Sequence, residues 1–337
     1  MKLLSALIFL LCGQFLFAQK QTDFIPGEVW KDSNGNAINA HGGGLLYYNG
    51  TYYWYGEYKK GDTWRVDYVT TWEDYRVHAG GVSCYSSKDL LNWKFEGVAL
   101  KPDTTDKNSD LHASKVIERP KVIFNKKTGK FVMWMHLDSE DYSYARSGVA
   151  VSDKPAGPFR FINSVRPNGA MARDMTIFQD DDGKAYHFFS SEDNATMHVC
   201  LLSDDYLSHT KNEKRILIDQ SREAPAVFKY NGKYYLISSA CTGWLPNAAS
   251  YAVADSPLGE WTQYDNPCTG SDAKITFQSQ STYILPVAGK TNQFIFLADR
   301  WNKTNLEDSR YIWLPMIMKN NKPEIQWQDK WDFSVFK

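Results

Sequence analysis

One phrase recurs five times along this chain and leaves few folds open to it. Its clearest copy runs Arg222-Glu223-Ala224-Pro225-Ala226-Val227-Phe228-Lys229-Tyr230, turns at Asn231-Gly232 and returns as Lys233-Tyr234-Tyr235-Leu236-Ile237. An acidic residue precedes a strand, an Asn-Gly pair meets the backbone needs of a two-residue hairpin, and aromatic and β-branched residues build the return strand. A second copy starts at His41-Gly42-Gly43-Gly44 and turns at Asn49-Gly50. The others start at Glu118-Arg119-Pro120, at Arg173-Asp174 with an Asp180-Asp181-Asp182-Gly183 turn, and at Ser279-Gln280 with a longer turn. Taken as phase markers, His41, Glu118, Asp174, Glu223 and Gln280 are spaced 77, 56, 49 and 57 residues apart.

An all-β unit at this period is the signature of a propeller, in which each repeat is a four-stranded blade set radially about an axis. The expected fold is therefore an all-β, five-bladed β-propeller with an axial active-site pocket. The innermost strand of each blade runs beside the axis, so a polar residue at one phase of every repeat reaches the same central cavity. Five residues far apart in sequence become one site.

Residues 1–18 carry Lys2, an apolar run and a small residue, Ala18, before polar Gln19, which is the pattern of a secretory signal peptide. Residues 19–337 then form one catalytic propeller domain, since no Pro/Gly/Ser-rich linker divides them. The expected location is exported, periplasmic or extracellular. With 38 Lys and Arg against 39 Asp and Glu, charge gives no reason to expect nucleic acid or an anionic membrane as partner. A monomer is expected. Beyond residue 18 the chain has Cys84, Cys200, Cys241 and Cys268, whose spacing is not that of a metal site. A bridge, with Cys241–Cys268 the nearest pair, stands against four buried thiols.

The chemistry gathers at the phase positions. Proline after Glu223-Ala224 stiffens the chain around the carboxyl. In a partly dry cavity beside other acids such a group holds its proton near neutrality and can protonate a leaving group. Glu118, Asp174 and Glu223, converging on one axis, cannot all ionise freely. His41 precedes three glycines that admit a close backbone approach, and is a candidate for binding sugar or a central ion. His136, His187 and His198 lie in strands and read as core. Asp180, Asp181 and Asp182 read as a solvated hairpin tip, and Glu192, Asp193 and Asn194 follow a strand end that can face the cavity. Among aromatics in loops, Trp64, Trp72, Tyr75, Tyr142, Trp244 and Trp301 are candidates for stacking on sugar rings. The stretch from Lys59 to Ala79 lengthens the first repeat and is expected to form a loop over one face. No cofactor is expected, with a structural calcium ion as the alternative.

These residues carry a resemblance. Glu223-Ala224-Pro225, the Arg173-Asp174 strand with its Asp-Asp-Asp-Gly turn, and the repeated Tyr-Tyr phrase resemble glycoside hydrolase family 43, five-bladed propellers that cleave glycosidic bonds with inversion. Ala40-His41-Gly42, Glu118-Arg119-Pro120, Ser191-Glu192-Asp193-Asn194, Cys241-Thr242-Gly243-Trp244 and Ser279-Gln280-Ser281-Thr282 resemble its exo-β-1,3-galactanase branch. The resemblance implies Glu223 as general acid, Asp174 as the carboxylate that tunes and orients it, and galactan or arabinogalactan as substrate. The first-blade position of the family's base aspartate reads Ala40-His41-Gly42 here. Gln280 matches the glutamine assigned to that role in the branch, as base or water positioner. Gln278 lies on the same side of the expected strand, so register could exchange the two. Tyr142, Asn194 and Thr242 match sugar-binding positions, Trp244 is added as a stacking ring, and Glu118 is read as gripping sugar hydroxyls, with the base as its other reading. A related α-L-arabinofuranosidase or β-xylosidase, or a non-catalytic carbohydrate-binding propeller, are the competing functions.

Overall fold

The Asn-Gly turns do what their chemistry allows. Asn49 and Gly50, and Asn231 and Gly232, take φ values of 48°, 72°, 49° and 72°, each closing a hairpin of two antiparallel strands. The structure, a computed structural model, describes residues 20–69 and 72–336, so the expected signal peptide lies outside the described residues. Among the described residues five sheets form blades, each beginning with a strand on the axis, and a sixth is a two-stranded ladder within blade 1's insertion. Blade 1 has the strands His41–Tyr48, Thr51–Lys59, Ala79–Ser87 and Lys94–Leu100. Blade 2 runs from Val116–Asn125 to Arg160–Val165, blade 3 from Met175–Gln179 to His209–Ile216, and blade 4 from Arg222–Tyr230 to Thr262–Tyr264. Blade 5 runs from Gln280–Pro286 to Lys322–Gln326, and Cys268–Thr269 adds a parallel strand at its edge.

Blade packing follows from the two-residue period of strands. Met133 faces blade 1 while Trp134 faces blade 3, and Phe188 and Phe189 divide the same way between blades 4 and 2. One buried apolar cluster lies between each pair of neighbouring blades, five in all among the described residues. The interface of blades 5 and 1 is the most aromatic, with Trp54, Trp93 and Trp313 packed together. It also holds the ring closed, because Phe24 and Trp331 exchange backbone hydrogen bonds of 2.7 and 3.0 Å and stack their rings 4.1 Å apart.

Two expectations change here. Cys84, Cys200, Cys241 and Cys268 are all free thiols. Cys268 is packed into the cluster between blades 4 and 5, whereas Cys241 sits on the wall of the axial cavity, so the 241–268 bridge does not form. Asp180 is not a solvated tip residue either: its Oδ1 takes a 2.6 Å bond from Lys229 Nζ, tying the blade 3 turn to blade 4.

Candidate active site

Four of the five inner strands share one backbone device, while the blade 3 strand, which opens just after Asp174, runs in unbroken register. Register breaks just after His41, Glu118, Glu223 and Ser281, so each of these inner strands carries a bulge close to its phase residue. In three blades the bulge residue is left-handed: Gly42 at φ 58°, Arg119 at 54° and Ala224 at 54°. Its N–H meets a carboxylate of the preceding blade. Gly42 donates to Asp299 Oδ2, Arg119 to Glu57 Oε1 and Ala224 to Asp174 Oδ2, each at 3.1 Å. Those bonds compensate the cost of left-handed backbone at Arg119 and Ala224.

The bulges surround a cavity of about 650 Å³ at one end of the axis. On one side Glu223 takes a 2.9 Å bond from Gln280 Nε2, which also donates to Ser239 Oγ at 3.0 Å. Burial first, then the charge of Asp174, pushes the Glu223 carboxyl up to about 8, against the opposing pull of Arg119. The group therefore carries its proton at neutral pH. Gln280 Oε1 accepts from Arg119 Nη2 at 2.5 Å and from Trp301 Nε1 at 3.0 Å. Both donors and both lone pairs of this amide are thus engaged.

Across the axis, on blade 2, Glu118 takes a 3.0 Å bond from Tyr142 Oη and lies 3.3 Å from His136 Nδ1. His136 Nε2 faces Asp138 Oδ2 at 2.9 Å. Burial alone would raise Glu118 and lower His136. The hydrogen bonds between carboxylates and ring outweigh it, holding Glu118 near 2 and the imidazolium up to about 9. Between the two sides lies Arg119, its Nε 3.0 Å from Asp174 Oδ1 and its Nη2 2.8 Å from Oδ2. Beneath, Lys121 Nζ donates to the Gly42 carbonyl at 2.9 Å, and burial, then Arg119, depresses this lysine to about 7.

Arg119 is the keystone of the charge arrangement. Replacing it by Met takes the guanidinium from Asp174 while leaving the backbone bond to Glu57, and urea unfolding should show a loss of about 3–5 kcal/mol, the usual consequence of removing one partner of a buried pair. An unfolding midpoint within error of wild type would contradict this.

Among the described residues, Glu118, His136 and Asp174 bring three donor atoms within 4.8 Å of one another. They do not suit a metal ion. Both ring nitrogens of His136 face carboxylates, the ring is held protonated, and Asp174 is already paired with Arg119.

The cavity brings together most of the residues singled out from sequence. Glu118, Asp174, Glu223 and Gln280 line it, as do Tyr142, Asp193, Asn194, Trp72, Trp244 and Trp301. His41 does not. It is fully buried, stacked on Tyr311 at 5.2 Å, with Nδ1 3.6 Å from Asp299 Oδ1. The glycines beside it serve strand packing, since a Cβ on Gly43 would fall 1.7 Å from the Tyr55 carbonyl oxygen. Thr242 is also outside the lining. It is exposed, and its hydroxyl is taken up by the Leu245 carbonyl and the Asn247 amide of its own loop. Gln278 cannot exchange with Gln280: Thr276, Phe277 and Gln278 form a left-handed run before the strand opens at Gln280, and Gln278 bonds Asp272. Trp64 and Tyr75 lie in a smaller neighbouring cleft, and Glu192 pairs outward with Arg215.

Sequence reasoning gave no site role to Glu57, Lys59, Arg119, Arg173 and Cys241 and read His136 as core, yet all six line the cavity. Glu57 is the most telling. It pairs across the hairpin with His41, is buried, and is raised mainly by burial against the pull of Lys59, whose Nζ is 2.8 Å away.

Residues 45–311 match the sequence model of a family described as Glycosyl hydrolases family 43. A solved β-1,3-galactosidase of that family, bound to galactodeoxynojirimycin, is 45% identical. It superimposes with a TM-score of 0.85 over 92% of this chain and 100% of its own. An exo-β-1,3-galactanase from Phanerochaete chrysosporium, solved with β-1,3-galactotriose, is 36% identical with a TM-score of 0.82, over 93% of this chain and 68% of its own. Among curated relatives, a β-D-galactofuranosidase of Aspergillus niger is 27% identical over 254 residues, 72% of either chain. A xylosidase/arabinosidase of Bacteroides ovatus is 29% identical over 175 residues, 40% of this chain and 52% of its own, so about half of that relative is matched.

Proposed function

This chain belongs to glycosyl hydrolases family 43, and we propose that it is an exo-acting, inverting hydrolase releasing galactose from the end of β-1,3-galactan, the backbone of arabinogalactan. The observation that carries the reading is a carboxylic acid, Glu223, held protonated at neutral pH in a sugar-sized cavity opposite an ionised carboxylate, Glu118. The two reside on blades 2 and 4 of five, so they approach a bound ring from different sides.

In the mechanism we assign, Glu223 gives its proton to the glycosidic oxygen as the bond from that oxygen to C1 breaks. A water attacks C1 from the opposite face and its proton passes to Glu118, leaving α-galactose and a shortened chain. Gln280 positions the acid rather than taking the proton. Its oxygen already serves the Arg119 and Trp301 donors, and protonating it toward an imidic acid would turn an acceptor against both. Because Gln280 occupies one oxygen of Glu223, the acidic hydrogen is left to the other. Burial keeps Glu223 protonated, and the charge of Asp174 adds to it. Exo action fits a cavity whose axial floor is filled by His41 and Lys121. A polymeric substrate fits export, the role we give residues 1–18, and a single propeller that contains every proposed group fits a monomer.

The pH profile follows from the proton on Glu223. Activity as kcat/KM should fall on the alkaline side with an apparent value near 8. In Asp174→Asn the nearby negative charge is gone, ionisation becomes easier, and the alkaline limb should move to lower pH while staying above 4.5, because burial remains the larger cause. A limb that stays put or rises would contradict the role given to Asp174. The xylosidase/arabinosidase relative gives a second reading in which the terminal sugar is a pentose. Sugar analysis after incubation with β-1,3-galactan, arabinan and xylan tests it: galactose from the first alone supports the galactanase reading, and arabinose or xylose as the main product would replace it.

A further inference from the structure

Blade 1 carries an insertion, residues 60–78, that leaves Lys59 and returns at Ala79 after a short ladder pairing Trp64–Arg65 with Tyr75–Arg76. Its described residues, 60–69 and 72–78, arch over the cavity and are fastened on both sides. Arg76 makes a buried pair with Asp74 at 2.9 Å, bonds the Glu140 carbonyl, and lays its guanidinium 4.6 Å from the centre of the Tyr142 ring. On the far side Glu73 pairs with Lys303, and Thr63 Oγ1 takes a 2.9 Å bond from the Leu306 N–H. Such fastening uses a buried ion pair on a surface loop, which folding alone does not require.

The arch presents Trp72 to the cavity. Its ring meets Tyr142 edge-on with centroids 5.7 Å apart, and its Cε3 would lie 3.7 Å from a Cβ placed on Gly243, so it spans the gap between the loops of blades 2 and 4. Tyr142 turns its hydroxyl inward to Glu118, so Trp72, set edge-on against the Tyr142 ring, is one ring removed from that carboxylate. Beside it, two buried polar atoms of the same cavity, Trp244 Nε1 and Asn194 Oδ1, have no partner among the described residues. Buried polar atoms rarely go unpaired, and here hydroxyls of a bound sugar would satisfy them.

We propose that Trp72, held by the arch, is the platform for the sugar on the leaving-group side of the scissile bond, and so sets the preference for oligomeric galactan over simple galactosides. The ligand is a β-linked galactosyl unit whose apolar face packs on the indole while its hydroxyls meet Trp244 and Asn194. The proposal rests on the galactanase reading but does not follow from it, since cleavage needs only the Glu223 and Glu118 pair.

The test compares kcat/KM for β-1,3-galactotriose with that for β-galactosyl fluoride, which has no sugar on the leaving side. In Trp72→Ala the ratio of the two should fall at least about tenfold, mostly through KM for the trisaccharide, and Trp72→Phe should recover most of it. An unchanged ratio in Trp72→Ala, whether or not both activities drop, would overturn the proposal. No turnover of either substrate by the wild-type enzyme would instead overturn the galactanase reading itself.

Discussion

Glu223→Gln should cost about 10²–10⁴-fold in kcat on β-1,3-galactan, the span expected for removing a general acid. The amide keeps the shape and the bond to Gln280 but has no proton to give to the departing oxygen. With β-galactosyl fluoride, whose leaving group needs no proton, the same variant should retain most of its activity. That contrast separates a missing acid from a damaged cavity. A variant that hydrolyses galactan normally would remove Glu223 from the chemistry. Stability should move the other way. A carboxyl near 4.5 when unfolded and near 8 when folded is penalised progressively as pH rises from the first value to the second. Glu223→Gln lacks that penalty, so at pH 8 it should unfold at a higher urea concentration than wild type, with the difference vanishing below about pH 4.

Glu118→Gln should lose a comparable factor, again about 10²–10⁴-fold, but with a different signature. Here the missing element is the acceptor of the water's proton, so β-galactosyl fluoride should suffer as much as galactan. A small anion that needs no deprotonation should restore turnover: with azide, the product should be α-galactosyl azide. Gln280→Ala provides the comparison. If Gln280 only positions Glu223, its loss should be smaller and azide should not rescue it. Azide rescue of Gln280→Ala, with none for Glu118→Gln, would return the base role to the glutamine.

Repetition made the fold and half of the site legible. A phase residue sits at or near the start of each inner strand, and a radial fold converts that sequence phase into spatial convergence, which is why Glu118, Asp174, Glu223 and Gln280 were found without any local motif for a reaction. The rest sits where the period says nothing. Glu57, His136 and Asp299 lie on the second strand of their blades, directly across the hairpin from His41, Glu118 and Gln280. Reading the cross-strand partner of each phase residue would have found all three, but the bulges shift the register by an amount the sequence does not announce. Arg119 was passed over as a mere neighbour of Glu118, since nothing in its type signals left-handed backbone. His41 misled for the opposite reason: its phase is right, yet the glycines after it draw the strands so close that the ring is sealed under Trp301. Thr242 and Gln278 fell to loop conformation, which short-range residue preferences do not specify.

The most direct test of the whole account is proton NMR of the first products from β-1,3-galactotriose, recorded before the sugars mutarotate. The account predicts α-galactose and β-1,3-galactobiose appearing together from the start. β-Galactose as the first anomer would contradict the single displacement across Glu223 and Glu118, and release of a reducing-end galactose with an intact non-reducing disaccharide would contradict exo attack from the chain end.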